Sequence, residues 1–228
     1  MLDRMESHHA CDVLRLRAGA RVEVFDGKGR RAAGTLQGAS RSEAVVRIEH
    51  REVSGAPHCR LTLVAALPKG KLLEWIIEKG TELGVSRFCP VVTDRSIARV
   101  EAAEGEKKRE KWERVALEAC KQSGQDWLPE VCLPVPLSHF LKGGMDFSQG
   151  AVVASLRAGA SRLRKLIPDF EGLGHVTLFV GPEGDFTPGE YDAMVALGVR
   201  EATLGARVLR LETAALTLVS VVGDALGI

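Results

Sequence analysis

No stretch of this 228-residue chain approaches the ~20 consecutive apolar residues of a membrane-spanning helix, so none reads as a transmembrane segment. A surplus of charge is equally missing. The 31 basic and 30 acidic side chains leave a net charge of +1, so no global basic field points to a polyanionic partner, and any nucleic-acid site must be a local patch. The five cysteines (Cys11, Cys59, Cys89, Cys120 and Cys132) are odd in number, and none is spaced C-x-x-C. No secretory signal precedes them, which argues against a disulfide scaffold and predicts a reduced, cytoplasmic protein with free thiols. The chain has no G-x-x-x-x-G-K-[ST] loop for a triphosphate and no G-x-G-x-x-G turn for a dinucleotide. His8 and His9 have no cluster of cysteines or carboxylates at ligand spacing beside them, so no metal site is expected. Internal repeats and low-complexity segments are also lacking. What is left is an ordinary globular composition, 45% hydrophobic and 27% charged.

The stretch from His175 to Thr213 organises the rest. An apolar run, Val176 to Val180, has the length and β-branched content of a buried strand, and Gly181-Pro182-Glu183-Gly184 follows at once. Thr187 then predicts an N-cap, with Pro188 at the first helical position and Glu190 completing a capping box. Tyr191, Met194 and Val195 give the apolar stripe of that helix, and Gly198 ends it. A second strand near Ala202 to Leu204 leads into Gly205-Ala206-Arg207-Val208-Leu209-Arg210. Two glycine-bearing loops thus leave one edge of an α/β sheet, where open sheets bind ligands.

Upstream, residues 1–58 read as a small β domain and 59–228 as the larger one. In the first, Val22 to Phe25 alternates, Asp26-Gly27 signals a turn, and Ala44 to Ile48 reads as a strand. Arg15, Arg17, Arg21, Arg30, Arg31, Arg41 and Arg47 make it the more basic part. Ser54 to Arg60 has the Gly and Pro of a linker. Leu61 to Leu67, a helix over 72–83 and Phe88 to Val92 then predict a parallel βαβ unit. Residues 104–124 follow as a helix with a charged outer face, Ala151 to Ser155 as a further strand, and 213–226 as a last helix apolar nearly all round.

These residues carry a resemblance. GPEG, then F-T-x-x-E, then LG-x-R-V-L-R-x-E-T-A-A-L resembles the 16S ribosomal RNA uridine-N3 methyltransferases of the RsmE type, in the SPOUT superfamily of knotted methyltransferases. The match extends to Pro68-Lys69-Gly70, to Lys79 through Val85, and to Glu118 through Gly124. His8-His9 with Val13-Leu14-Arg15-Leu16 matches the early signature of that family's N-terminal PUA-like β-barrel. The resemblance implies an α/β sheet with a C-terminal trefoil knot, a PUA-like RNA-binding barrel at residues 1–58, and a methyltransferase domain at 59–228. The family usually has a further N-terminal strand before the signature, so a trimmed barrel or a misassigned start is expected. At Asp185 relatives commonly have glycine, and at Leu211 a small polar residue. The arginines usual after Gly124 are replaced by Gln125-Asp126-Trp127.

By motif, S-adenosylmethionine would be held by Gly181, Pro182, Glu183 and Gly184, by Leu204 and Gly205, by Val208, Leu209 and Leu211, and by Thr213 with Ala214. Such loops offer apolar walls and backbone groups to a flat adenosyl ring. The acceptor implied is N3 of a uridine in the decoding region of 16S ribosomal RNA, in the small subunit. That nitrogen is a poor nucleophile while protonated. Arg210 is the main candidate at the acceptor, because a guanidinium stabilises negative charge developing on the uracil oxygens. Arg157, Arg207, Arg15 and Arg17 are candidates for RNA contact. Glu183 is either a base or an acceptor for backbone N–H groups of its own loop. A homodimer is implied as well. Two alternatives stand beside this reading: a related knotted enzyme acting on a ribose 2′-hydroxyl or another base, and a non-catalytic RNA-binding or assembly protein.

Overall fold

The computed structural model describes residues 1–40, 43–96, 102–144, 147 and 150–228. It divides into two compact units, Met1–Ala56 and Pro57–Ile228.

In the first unit, helix α1 (Arg4–His8) starts at Asp3, whose carboxylate accepts the Glu6 N–H at 2.8 Å. Strands β1 (Arg21–Phe25), β2 (Arg30–Ala39) and β3 (Ala44–Val53) form an antiparallel meander in that order. The β1–β2 turn is tied by Asp26, which accepts the Lys28 N–H at 2.7 Å and the Arg30 N–H at 3.1 Å. Those backbone donors, Arg30 first, hold its carboxyl below the usual carboxylate range. The sequence reading passes over β2, whose only β-branched residue among the ten is Thr35. It is a strand because β1 and β3 pair with it on both sides, and tertiary pairing outweighs propensity. His8 lies 3.2 Å from Asp12, and Arg15 (φ 53°) and Arg17 are exposed. Arg41 lies outside the described residues.

The second unit is built on a parallel sheet. Its strands are β4 (Arg60–Ala66), β5 (Val85–Val92), β6 (Glu130–Val131), β7 (Val135–Pro136), β8 (Ala151–Ala154), β9 (Ser161–Arg162), β10 (His175–Val180) and β11 (Arg200–Thr203). They lie in the order β6-β5-β4-β10-β8-β11-β9, with β7 also on β5. Helices cover both faces, which is why β4 and β10 read as continuous apolar runs rather than alternating ones. On one face α2 (Leu72–Glu82), α3 (Ala102–Ser123) and α7 (Leu211–Leu226) enclose Leu63, Ile76, Ile77, Phe88, Trp112, Leu178 and Leu218. On the other, α4 (Leu137–Leu141) and α6 (Pro188–Ala196) enclose Val64, Val91, Phe147, Phe179, Tyr191 and Met194. The short helix α5 (Leu163–Leu166) follows β9.

Two details differ from the sequence reading. Val195 is 46% exposed and stands outside the buried stripe, which Tyr191 and Met194 supply. Helix α7 is one-sided rather than apolar all round, with Leu211, Ala215, Leu218, Val219 and Val222 buried while Ser220, Val221 and Asp224 face outward.

His175, at the start of β10, places Nε2 2.9 Å from the Thr62 hydroxyl. Burial first, then the positive charge of Arg60 and Arg87, lowers its pKa below the ordinary histidine value. A base whose pKa is depressed on folding binds fewer protons in the native state, so stability falls as pH drops through about 6.5 toward the folded pKa. Thermal melts at decreasing pH are expected to show this loss, and His175→Gln is expected to flatten it. A variant melting with the wild-type pH slope would remove His175 as the cause.

Candidate active site

Three loops leave the C-terminal edge of neighbouring strands β10, β8 and β11, and the order of strands in the sheet brings them together. The loop after β10 begins at Gly181. A Cβ there would sit 3.0 Å from the Phe186 ring and 3.3 Å from the Phe186 amide nitrogen, so the absent side chain lets the loop fold back on itself. Pro182 C=O accepts the Asp185 N–H at 2.9 Å, closing a turn with Glu183 and Gly184 at its tip. Thr187 then caps α6, with the reciprocal capping box to Glu190 that the spacing predicts. From outside, Arg95 donates to the carbonyls of Gly184 (2.8 Å) and Phe186 (3.4 Å).

Asp185 occupies the left-handed region, φ 62°, which aspartate tolerates better than most side chains. Its Oδ1 accepts the Phe186 N–H at 2.8 Å and the Tyr191 hydroxyl at 2.7 Å, and Tyr191 also reaches Ala154 C=O at 3.3 Å. Asp185 therefore braces the loop rather than disturbing it. Burial, followed by Asp185, pushes the Tyr191 phenol well above its ordinary value, so it stays protonated and donates. Glu183 is exposed at the tip without a hydrogen bond among the described residues, and Asp185 is the side chain that accepts the loop's amide.

The loop after β8 carries Ser155, Leu156 and Arg157. Buried Ser155 donates to Glu201 Oε2 at 2.6 Å and accepts the Arg157 N–H at 3.1 Å. The Arg157 guanidinium pairs with Asp192 (2.9 Å) and Glu201 (3.5 Å) and lies 5.4 Å from the centre of the Tyr191 ring. Asp185, Tyr191, Arg157, Glu201 and Ser155 thus link the β10 loop to the β8 loop and to β11. Removing only the hydroxyl, by Tyr191→Phe, leaves the Asp185 carboxylate one donor short. The expected cost is about 1–2 kcal/mol, a fall in Tm of about 3–6 °C. Calorimetry of cofactor binding should show a several-fold loss. Unchanged Tm and affinity would show that the bond does not hold the loop.

The loop after β11 turns at Gly205, whose φ of 141° is open to glycine and costly for other residues. Thr203 ties it, its hydroxyl donating to Gly205 C=O at 3.0 Å. The chain then enters α7 at Arg210, the N-cap residue, whose side chain makes no capping bond.

Between the three loops lies a cleft partly open to solvent. Of the expected cofactor residues, Gly181, Pro182, Glu183, Leu204, Gly205, Val208, Leu209, Leu211 and Ala214 line it, as does Arg207. Gly184 and Thr213, both exposed, are not among the lining residues, while Arg157 and Arg210 flank it one residue from Leu156, Leu209 and Leu211. Arg207 and Arg210 are exposed and have no ion-pair partner among the described residues. Sequence reasoning missed Ala154, Ser155 and Thr203 in the wall. Their signal was position alone, at the C-terminal ends of two parallel strands.

The walls fit an adenosyl group. Leu156, Leu204, Val208, Leu209 and Leu211 supply apolar surface, and Ser155, Asp185 and the loop backbones supply a few fixed polar groups. Residues 56–223 match the model of an RNA methyltransferase domain, and residues 2–49 that of an RNA methyltransferase PUA domain. Among curated proteins, the ribosomal RNA small subunit methyltransferase E of Bacillus subtilis is 30% identical, over 95% of this chain and 86% of its own length. The protein of the same name from Mycobacterium bovis is 31% identical, over 98% and 85%. Among solved structures, a Legionella pneumophila protein with the cofactor SAM bound superposes at a TM-score of 0.89 with 27% identity, covering 98% of this chain and 90% of that one. The Neisseria gonorrhoeae ribosomal RNA small subunit methyltransferase E, bound to S-adenosyl methionine, does so at 0.87 with 28% identity, covering 96% and 89%.

Proposed function

The chain belongs to the RNA methyltransferase family whose curated members are the ribosomal RNA small subunit methyltransferases E, and from that premise we propose that it methylates N3 of a uridine in the decoding region of 16S ribosomal RNA. It is an enzyme that uses S-adenosylmethionine. The observation that carries the finer reading is the arginine pair at the mouth of the cleft: Arg207 in its lining and Arg210 beside it, both exposed and unpaired among the described residues.

When bound, S-adenosylmethionine supplies a methyl group on a positively charged sulfur. The protein's own part is positioning and charge. Gly181 to Gly184, Leu204 with Gly205, Val208, Leu209, Leu211, Thr213 and Ala214 hold the cofactor, with Asp185 and Tyr191 fixing the first loop. Arg210 stabilises the negative charge that develops on the uracil oxygens as N3 loses its proton. Holding N3 in line with the methyl removes much of the entropic barrier. Arg207 and Arg157 contact the RNA near the target, and the base leaves its stack to reach the cleft. In the first unit, exposed Arg15 and Arg17 of a PUA-like barrel also contact the RNA. Residues 1–58 serve docking and 59–228 chemistry. A trefoil knot around the cleft loops and a homodimer belong to the same reading, with α7 packed against β10 and β4. A cytoplasmic site of action follows from an RNA substrate in the small ribosomal subunit.

Mass-mapping of methylated nucleotides in small-subunit RNA, from cells with and without the protein, tests this directly. One methyl on N3 of a decoding-region uridine, present only with the protein, is the expected result. A methyl on a ribose or on another base would overturn the assignment. No detectable S-adenosylmethionine binding by calorimetry would favour a non-catalytic role.

A further inference from the structure

Away from the cleft, the far side of the sheet brings two thiols together. Phe88 on β5 pairs with Val131 on β6, so the next residues of each strand, Cys89 and Cys132, stand side by side. Cys132 N–H donates to Phe88 C=O at 2.9 Å, which extends the ladder to that pair. The Cys89 thiol donates to Cys132 Sγ at 3.4 Å, and the Arg87 Nε–H donates to the same sulfur at 3.2 Å. Glu130 also faces the site, 3.2 Å from Arg87 Nε and 3.7 Å from Cys132 Sγ. Cys89 is buried, and Cys132 is half-buried where the short strand β6 forms the sheet's edge.

This is the arrangement of an attacking and a resolving thiol. The hydrogen bond from Cys89, and after it the Arg87 guanidinium, pulls the Cys132 thiol below the ordinary cysteine range, against the effect of its partial burial. The same hydrogen bond, with burial, pushes Cys89 up. A sulfur with thiolate character that solvent can reach reacts first with peroxides. Cys59 and Cys120 are fully buried and their thiols are raised, so neither competes. Neighbouring strands lie about 4.8 Å apart, inside the Cα separation that a disulfide spans.

We propose that Cys89 and Cys132 form a reversible dithiol–disulfide site for hydroperoxides, with Cys132 the attacking sulfur and Cys89 the resolving one. The Cys132 thiolate attacks one oxygen of hydrogen peroxide. An S–O bond forms, the O–O bond breaks, and hydroxide leaves, taking a proton to become water. Cys89 then gives up its proton and attacks the Cys132 sulfenic acid, forming the S–S bond and releasing a second water. The two sulfurs together lose two electrons, and the peroxide oxygens gain them. A thiol reductant returns both thiols.

The test uses the full chain with about one equivalent of hydrogen peroxide, then alkylation and peptide mass mapping. The expected product is a cross-linked peptide pair holding Cys89 and Cys132, lighter by two hydrogens and lost on adding dithiothreitol. Cys89→Ser should stop at a Cys132 sulfenic acid trapped by dimedone, and Arg87→Gln should slow the reaction about tenfold or more. The wild-type map needs no variant to fold. Oxidation first at Cys11, or a sulfenic acid at Cys132 that never yields the 89–132 cross-link in wild type, would overturn the proposal.

Discussion

Replacing Arg210 with alanine is expected to lower methyl transfer about 10²–10³-fold while leaving S-adenosylmethionine affinity within about twofold. The expectation rests on what this residue does and does not do in the fold. Its backbone starts α7, with the Arg210 carbonyl accepting the Ala214 N–H at 2.8 Å, and an alanine keeps that bond. Its side chain makes no capping bond, is exposed, and has no ion-pair partner among the described residues. Truncation therefore leaves the helix and the cleft lining in place and removes only a positive charge at the mouth. If that charge acts on the uracil as N3 loses its proton, the loss falls on kcat rather than on cofactor binding. Arg210→Lys should recover part of the rate, since an ammonium restores charge but not the planar fork. Single-turnover transfer to small-subunit RNA, beside calorimetry with the cofactor, measures both quantities. Wild-type turnover in the alanine variant would take Arg210 out of the chemistry.

Phe179→Ala is expected to be the most damaging single change to the second unit, costing about 3–5 kcal/mol. Phe179 is fully buried on β10, two residues before the Gly181 turn. Its ring meets Phe147 edge-on at 5.5 Å and Phe140 at 6.0 Å. No neighbour can swing into the space without uncoupling that trio, so the cavity stays. Such a loss is a large part of the 5–15 kcal/mol that stabilises a typical domain. It should lower Tm by about 10 °C. Cofactor at about a hundred times Kd returns only about 2.7 kcal/mol, so a scan with saturating ligand should recover part of the fall and not all of it. A Tm within about 2 °C of wild type, without ligand, would mean that the three rings do not carry this face.

The parallel sheet was legible because its strands are buried on both faces. Leu61 to Leu67 and Val176 to Val180 are uninterrupted apolar runs, and no antiparallel surface strand reads that way. The start of α6 was legible because Thr187, Pro188 and Glu190 act locally, within one turn. What stayed hidden depends on partners distant in sequence. Strand β2 owes its existence to neighbours on both sides. The brace from Asp185 to Tyr191 could not be read from an aspartate in a glycine-rich turn, since the hydroxyl that meets it lies six residues on, inside α6, and meets it only once the loop has folded back. Arg157 looked like a free cation beside the cleft, but Asp192 and Glu201 flank it, and both lie on elements the chain reaches more than thirty residues later.

The walls of the cleft come from residues 154–156, 180–185 and 203–214, and the strand carrying the first group sits between those carrying the other two. No one of these three segments therefore forms the pocket alone. Leu211 and Ala214 close it from the start of the terminal helix, so capture of the methyl donor waits until the end of the chain has docked. Cofactor retention thus doubles as a report that the terminal helix of the second unit has docked: a molecule truncated before residue 211 is expected to carry every glycine turn and still hold nothing.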